Sequence, residues 1–269
     1  MAGRCGESVR AIKSLSRPIS PAGNVTSAGT GNICANLKLF GIHRNGCFAE
    51  YAAAPAVCVR PVPAAIPYDV GAVMEPLGTA LRAAVETQVA GANVMVLGCG
   101  PIGLFAAAAA SALGAARIFA TDISPARLEI ARQVGVTTAL NPLDQDVRAA
   151  VLAATQGVGV DVVIEASGNV DALKGSFAYL RKGGRMAWIG LPGKPVELEI
   201  GSEVVFKEAK IVGIHGRKMF ETWTQMENLL ATGLLKVAPV ITHTMPLSRW
   251  QEGVALAQSG QACKVIFHP

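Results

Sequence analysis

Three glycines and one acid stand at spacings suited to capturing a pyrophosphate and a ribose. Val94 to Gly103 reads V-M-V-L-G-C-G-P-I-G, and Asp122 closes the next apolar run, A-A-R-I-F-A-T-D. The first run reads as a buried strand, Gly98-x-Gly100-x-x-Gly103 turns the chain, and the alanine-rich stretch that follows suits a helix. Gly98 permits a tight turn, Gly100 lets backbone approach a pyrophosphate, and Gly103 lets helix and strand pack closely. The helix N-terminus adds free N–H groups and the positive end of a dipole. Asp122 stands about 20 residues further on, where a carboxylate accepts both hydroxyls of a ribose. A 2′-phosphate there would meet like charge, so the pattern implies NAD in preference to NADP.

Two other readings compete for this stretch. Val94 to Ala116 carries no charged residue, long enough for a membrane span. Pro101 and the glycines would break such a helix, however. A doubly wound sheet also buries its central strand on both faces and yields such runs routinely. A methyltransferase likewise places an acid after its second strand, with a differently patterned glycine loop.

The elements that must position these residues alternate regularly. Strands are predicted at Asn93–Cys99, Arg117–Asp122, Thr137–Leu140, Val160–Ala166, Arg185–Gly190 and Lys210–Ile214, with helices at Ile102–Leu113, Pro125–Val134, Gln145–Thr155 and Val170–Leu180. Six strands with crossover helices imply an α/β fold, a doubly wound six-stranded parallel sheet of the Rossmann kind. Gly168, Gly184 and Gly190 flank strands and are expected either to line the cofactor groove or to serve only as turn residues. Upstream, residues 1–33 read as an irregular tail, and Gly46 onward as short strands broken by prolines. From Pro67 to Val89 the pattern becomes helical, with Pro76 near the start of a helix through Leu77–Val85. After Gly216 come an amphipathic helix, a short strand, a second helix and a last strand, too little for a separate domain and expected to pack on the Gly46–Glu75 region.

Composition narrows the class further. The formal charge is +5, of which residues 1–17 supply +3 through Arg4, Arg10, Lys13 and Arg17 against Glu7. No basic stripe with interleaved aromatics appears, which argues against a nucleic-acid partner. Cys5, Cys34, Cys47, Cys58, Cys99 and Cys263 are scattered and never form C-x-x-C. With no apolar signal segment visible, this usage points to a cytoplasmic protein with no membrane partner.

From about Asn32 to its end the chain resembles the zinc-type medium-chain alcohol dehydrogenase family. The resemblance rests on G-C-F-A-E-Y at Gly46–Tyr51, V-M-E-P-L-G at Val73–Gly78, G-I-H-G-R-K-M-F-E-T-W from Gly213, P-V-I-T-H from Pro239 and S-G-Q-A-C-K-V-I-F from Ser259. The later motifs are most similar to the threonine- and sorbitol-oxidising branches. The resemblance implies that residues 34–76 and 217–269 are the remnant of a mostly β, GroES-like catalytic domain, with 77–216 the NAD-binding domain. It further implies that Ile102 covers the dinucleotide, that Asp122 and Arg127 meet the adenosine ribose, and that Ile189, Gly190 and Leu191 border the nicotinamide ribose. Ile214 and His215 would lie near the ring, and Lys264 would reach the pyrophosphate or be a solvated charge. Glu75 matches a catalytic-zinc position or is a helix-terminal acid, and Cys34 matches one structural-zinc position. A homotetramer is the family's common assembly.

The chain departs from the family at its metal sites. The family takes zinc ligands from a Cys and a Gly-His-Glu segment upstream of Gly46, and no such segment occurs here. Of the four lobe cysteines only Cys34 has a counterpart. One base restored after the Asn24 codon would let residues 23–29 read G-N-C-H-Q-C-R, so a frameshift with a start lost upstream is one expectation. The implied activity is NAD-dependent oxidation of a small secondary alcohol. The alternatives are an inactive NAD-binding remnant lacking the zinc site and a zinc-independent quinone reductase.

Overall fold

The structure, a computed structural model, describes residues 33, 38–39, 41–54, 59–219 and 221–269. Cys34 and the proposed frameshift segment lie outside the described residues. The chain divides into two compact units: the described parts of Met1–Gly78, with His215–Gly233 and Ile241–Pro269, and a second unit of Thr79–Ile214 with Leu234–Val240.

The second unit holds a six-stranded sheet of β1 (Asn93–Leu97), β2 (Arg117–Thr121), β3 (Thr138–Leu140), β4 (Val160–Glu165), β5 (Leu180–Trp188) and β6 (Lys210–Gly213). Every pairing is parallel, in the order β3-β2-β1-β4-β5-β6. The order reverses between β1 and β4, and that switch point opens a crevice outside the carboxyl ends of those two strands.

The crossovers are α2 (Pro101–Ala112), α3 (Pro125–Gln133), α4 (Val147–Ala154) and α5 (Val170–Gly175). Each starts where the sequence supplies a suitable first turn. Pro101 and Pro125 sit at helix starts, and the side chains of Ser124, Asp146 and Asn169 cap α3, α4 and α5 by accepting first-turn N–H groups. Residues 103–110 of α2 are all buried, which small alanine side chains permit. This uncharged run is thus a strand, a turn and a twelve-residue helix, and no described helix is long and apolar enough to cross a membrane. One sheet face packs Met95, Leu97, Phe119, Val163, Phe177 and Met186 into a continuous apolar core.

Three elements depart most from their predicted bounds. Helix α1 runs Tyr68–Glu86, with Pro76 inside it and not at its start. Pro67, whose carbonyl accepts from Gly71 N–H at 2.8 Å, supplies the earlier start. Helix α5 stops at Gly175, and β5 begins at Leu180, where the sequence suggested helix. Lys207 Nζ donates to the carbonyls of Phe177 and Leu180 at 2.8 Å each, holding that segment to the sheet. Gly184 therefore lies within β5 and away from the carboxyl end, and a Cβ there would come 2.7 Å from Leu180 Cγ.

The amino ends of three strands share one carboxylate. Asp161 accepts from the Asn93 N–H at 2.8 Å and from Arg181 Nε at 2.6 Å. Burial pushes its pKa up, but these hydrogen bonds and the charges of Arg181 and Arg185 outweigh that and hold it below its ordinary value. A depressed carboxyl stabilises the fold above its unfolded pKa, about 3.9, and that contribution is lost as pH falls through the folded value. Asp161→Asn is expected to cost about 1 kcal/mol at neutral pH. Melting curves should show the gap from wild type closing below about pH 4, and a gap unchanged in acid would contradict this account.

In the other unit, α6 (Glu221–Ala231), β7 (Ile241–Pro246), α7 (Trp250–Gln258) and β8 (Lys264–His268) follow in order, with β7 and β8 paired in parallel. Phe48 meets Phe267 edge to face at 5.7 Å, and Arg60 forms a two-pronged 2.7 Å pair with Glu227 on α6. Residues from both ends of the chain thus meet within this unit.

Candidate cofactor site

The glycine turn after β1 has the geometry its spacing predicts. Gly98 sits at φ +88°, in the left-handed region that glycine tolerates. Gly103 faces the turn so closely that a Cβ would lie 3.0 Å from the Gly98 carbonyl carbon and nearer still to its oxygen. Gly100 differs from both. Its φ is −66°, open to any residue, and a Cβ would meet nothing within 4 Å. Neither backbone nor packing demands glycine at 100. Gly100 also heads α2 without any side-chain cap, so the first-turn N–H groups remain available to an anion.

Asp122 lies across the turn, following β2. Its Oδ2 accepts from Cys99 N–H at 2.8 Å and its Oδ1 from Ser124 N–H at 2.9 Å, which fixes the carboxylate plane. Arg127 Nη1 stands 3.9 Å from Oδ2. Both residues line a cavity of about 520 Å³ that also takes in Gly98, Ile123, Leu143 and Ser167. Ile123 and Leu143 are 64% and 74% exposed, so two large apolar side chains stand open at a polar carboxylate. That combination suits a flat heteroaromatic ring joined to a sugar diol. Its size lies within the usual range for small-molecule sites.

The remaining predicted residues spread further. Ile102 is the second residue of α2. Ile189, Gly190 and Leu191 follow β5, and Ile214 follows β6, its N–H donating to Trp188 O at 2.9 Å. His215 and Lys264 belong to the other unit, Lys264 opening β8. Sequence reasoning missed Ile123, Leu143 and Glu165. An acid closing the apolar run V-D-V-V-I-E was the signal for Glu165, the same signal that marked Asp122.

Glu75 is engaged elsewhere. It accepts from Nη1 of Arg217, a guanidinium only 3% exposed that also lies over the Trp223 ring at 5.4 Å. Burial lowers the Arg217 pKa, and the charge and hydrogen bond of Glu75 oppose that shift. Among the described residues no three His, Cys, Asp or Glu side chains gather as metal ligands. The glycine turn, the uncapped helix and Asp122 fit a dinucleotide.

Comparison with known proteins supports one lineage. Residues 101–232 match the zinc-binding dehydrogenase family model. The chain is 41% identical over 241 residues to L-threonine 3-dehydrogenase of Bacillus subtilis, covering 90% of this chain and 70% of that protein. It is 40% identical over 242 residues, with the same coverage, to the enzyme so named in Caldanaerobacter subterraneus subsp. tengcongensis. Among solved structures, 2R,3R-butanediol dehydrogenase from Bacillus subtilis superposes with a TM-score of 0.83 at 28% identity, covering 90% of this chain and 70% of that one. With its strand order, its glycine turn and these relatives, the chain belongs to the zinc-binding dehydrogenase family, the medium-chain alcohol dehydrogenases.

Proposed function

We propose that this chain binds NAD in preference to NADP and takes hydride from a small secondary alcohol, L-threonine at its β-hydroxyl or a related polyol. The observation that carries the reading is Gly100: ordinary φ and, among the described residues, nothing within 4 Å of a Cβ, in the turn that the motif offers to a pyrophosphate. In this reading Gly100 faces the pyrophosphate in the turn that Gly98 and Gly103 shape, Ile102 covers the dinucleotide, Asp122 and Arg127 meet the adenosine ribose, and Ile189, Gly190, Leu191 and Ile214 the nicotinamide half. His215 and Lys264 carry the roles that the family resemblance gives them. The names of the curated relatives support threonine as substrate. NAD supplies the hydride acceptor, and the chain's own part is to bind and orient it. Zinc belongs to the family chemistry, where it would polarise the substrate oxygen. Cytoplasmic location and a homotetramer complete the proposal.

Titration with NADH and NADPH, followed by protein-to-nicotinamide energy transfer, tests the cofactor reading. The chain has three tryptophans as donors, Trp188 among them at the end of β5. Saturable NADH binding at least about tenfold tighter than NADPH is expected from the like-charge clash at Asp122. Equal affinities would overturn the preference, and no saturable signal would overturn the reading. Formation of NADH from NAD and L-threonine tests the substrate separately.

A further inference from the structure

Glu165 closes β4 and is wholly buried, 0% exposed. A buried carboxylate requires donors around it, and here they are shared unevenly. Oε1 accepts from Ser167 N–H at 2.8 Å, from Gly168 N–H at 3.0 Å and from the Ser167 hydroxyl. Oε2 is buried with no hydrogen-bond partner among the described residues. The main-chain carbonyl of the same residue accepts from the N–H groups of Ile189 and Gly190 at 2.9 and 3.1 Å. One residue therefore ties the turn after β4 to the stretch after β5.

These ties reach the cofactor side of the sheet. A Cβ on Gly98 would lie 2.8 Å from Ser167 Cβ and 2.9 Å from its Cα, so the turn after β4 rests directly on the glycine turn after β1. A Cβ on Gly168 would lie 2.8 Å from the Leu191 carbonyl, and one on Gly190 would strike both Glu165 Oε2 and the Gly168 nitrogen. Three segments interlock with no space for a side chain at Gly98, Gly168 or Gly190; the Glu165 carboxylate holds the turn after β4, and its main-chain carbonyl holds the stretch after β5. The carboxylate meets the Ser167 and Gly168 N–H groups, which an apolar side chain of similar size would leave without that acceptor. What the acid adds is a fixed position for Ser167, which lines the same cavity as Asp122.

We propose that Glu165 is a positioning residue for the dinucleotide. Through Ser167 and Gly168 its carboxylate holds the turn after β4 against the glycine turn after β1 at the separation that the bound cofactor requires. The inference rests on the NAD-binding reading. The test is NADH titration of the full chain as wild type, Glu165→Ala, Glu165→Gln and Ser167→Ala, with folding monitored by circular dichroism. Glu165→Ala is expected to weaken NADH about tenfold or more, having lost every side-chain tie. Glu165→Gln should stay within about threefold, since its amide oxygen still accepts from both backbone donors. Ser167→Ala, which removes only the hydroxyl tie, should fall between, and it keeps the test alive if Glu165→Ala does not fold. A purely structural role would lower the melting temperature and leave the dissociation constant of the folded protein unmoved, and that result would overturn the inference. So would Glu165→Gln binding as weakly as Glu165→Ala. Failure of the wild type to bind NADH would remove the NAD reading and this inference together, whereas failure of this inference alone leaves wild-type binding intact.

Discussion

Alanine at position 103 and alanine at position 100 are expected to give opposite results. Gly103→Ala drives a methyl group into the Gly98 backbone, which cannot yield as a flexible side chain would. Either α2 must retreat from β1 or the turn must open. Overpacking against backbone at this depth is expected to cost about 3 kcal/mol, seen as a fall in melting temperature of about 6–12 °C. The displaced helix start also withdraws the N–H groups offered to the pyrophosphate, so NADH binding should fall at least about 100-fold. Gly100→Ala meets nothing within 4 Å and needs no unusual φ. It should leave the melting temperature unchanged or slightly raised while weakening NADH about tenfold or more, because its methyl group occupies the approach path. Calorimetry and titration of the two variants separate a folding glycine from a ligand glycine. If Gly100→Ala binds NADH as wild type does, the open space at that position belongs to something other than a pyrophosphate.

The second large effect concerns Asp122. Its carboxylate uses one acceptor site on each oxygen for Cys99 and Ser124, leaving lone pairs for a sugar diol. Two charge-assisted hydrogen bonds at about 1.5 kcal/mol each amount to about 3 kcal/mol, or about 100-fold in NADH affinity. Asp122→Ala is expected to lose that much while NADPH affinity holds or improves, since the repelling charge is gone. The ratio of the two dissociation constants is the measurement. A variant that keeps NADH within about threefold of wild type would show that the ribose lies elsewhere.

Much of the nucleotide-binding sheet was legible because each part of it is written in a short window. Apolar runs of five or six residues, cut by Gly or Pro and separated by helical stretches, leave a right-handed parallel sheet as the economical arrangement. Boundaries were less legible where a distant partner imposes them. Leu180 reads as the end of a helix, yet it pairs with Val160 in the neighbouring strand and its carbonyl accepts from Lys207. Local propensity cannot report a contact made by a residue twenty or more positions away.

What the sequence determined by itself was the form of the turn: three glycines at fixed spacing, and an acid one strand further on, all specified within about 25 residues of chain. Only the tertiary structure decided how that turn is braced. The interlock of Gly98, Ser167, Gly168 and Gly190 around Glu165 draws on the ends of three strands. The same holds in the other unit, where Glu75 meets Arg217 from 142 positions away. Spacing along the chain encodes φ, helix capping and strand alternation, because these are set by neighbouring residues. It carries no information on which buried acid finds which donor, since that depends on where strands far apart in sequence place their ends once the sheet has formed.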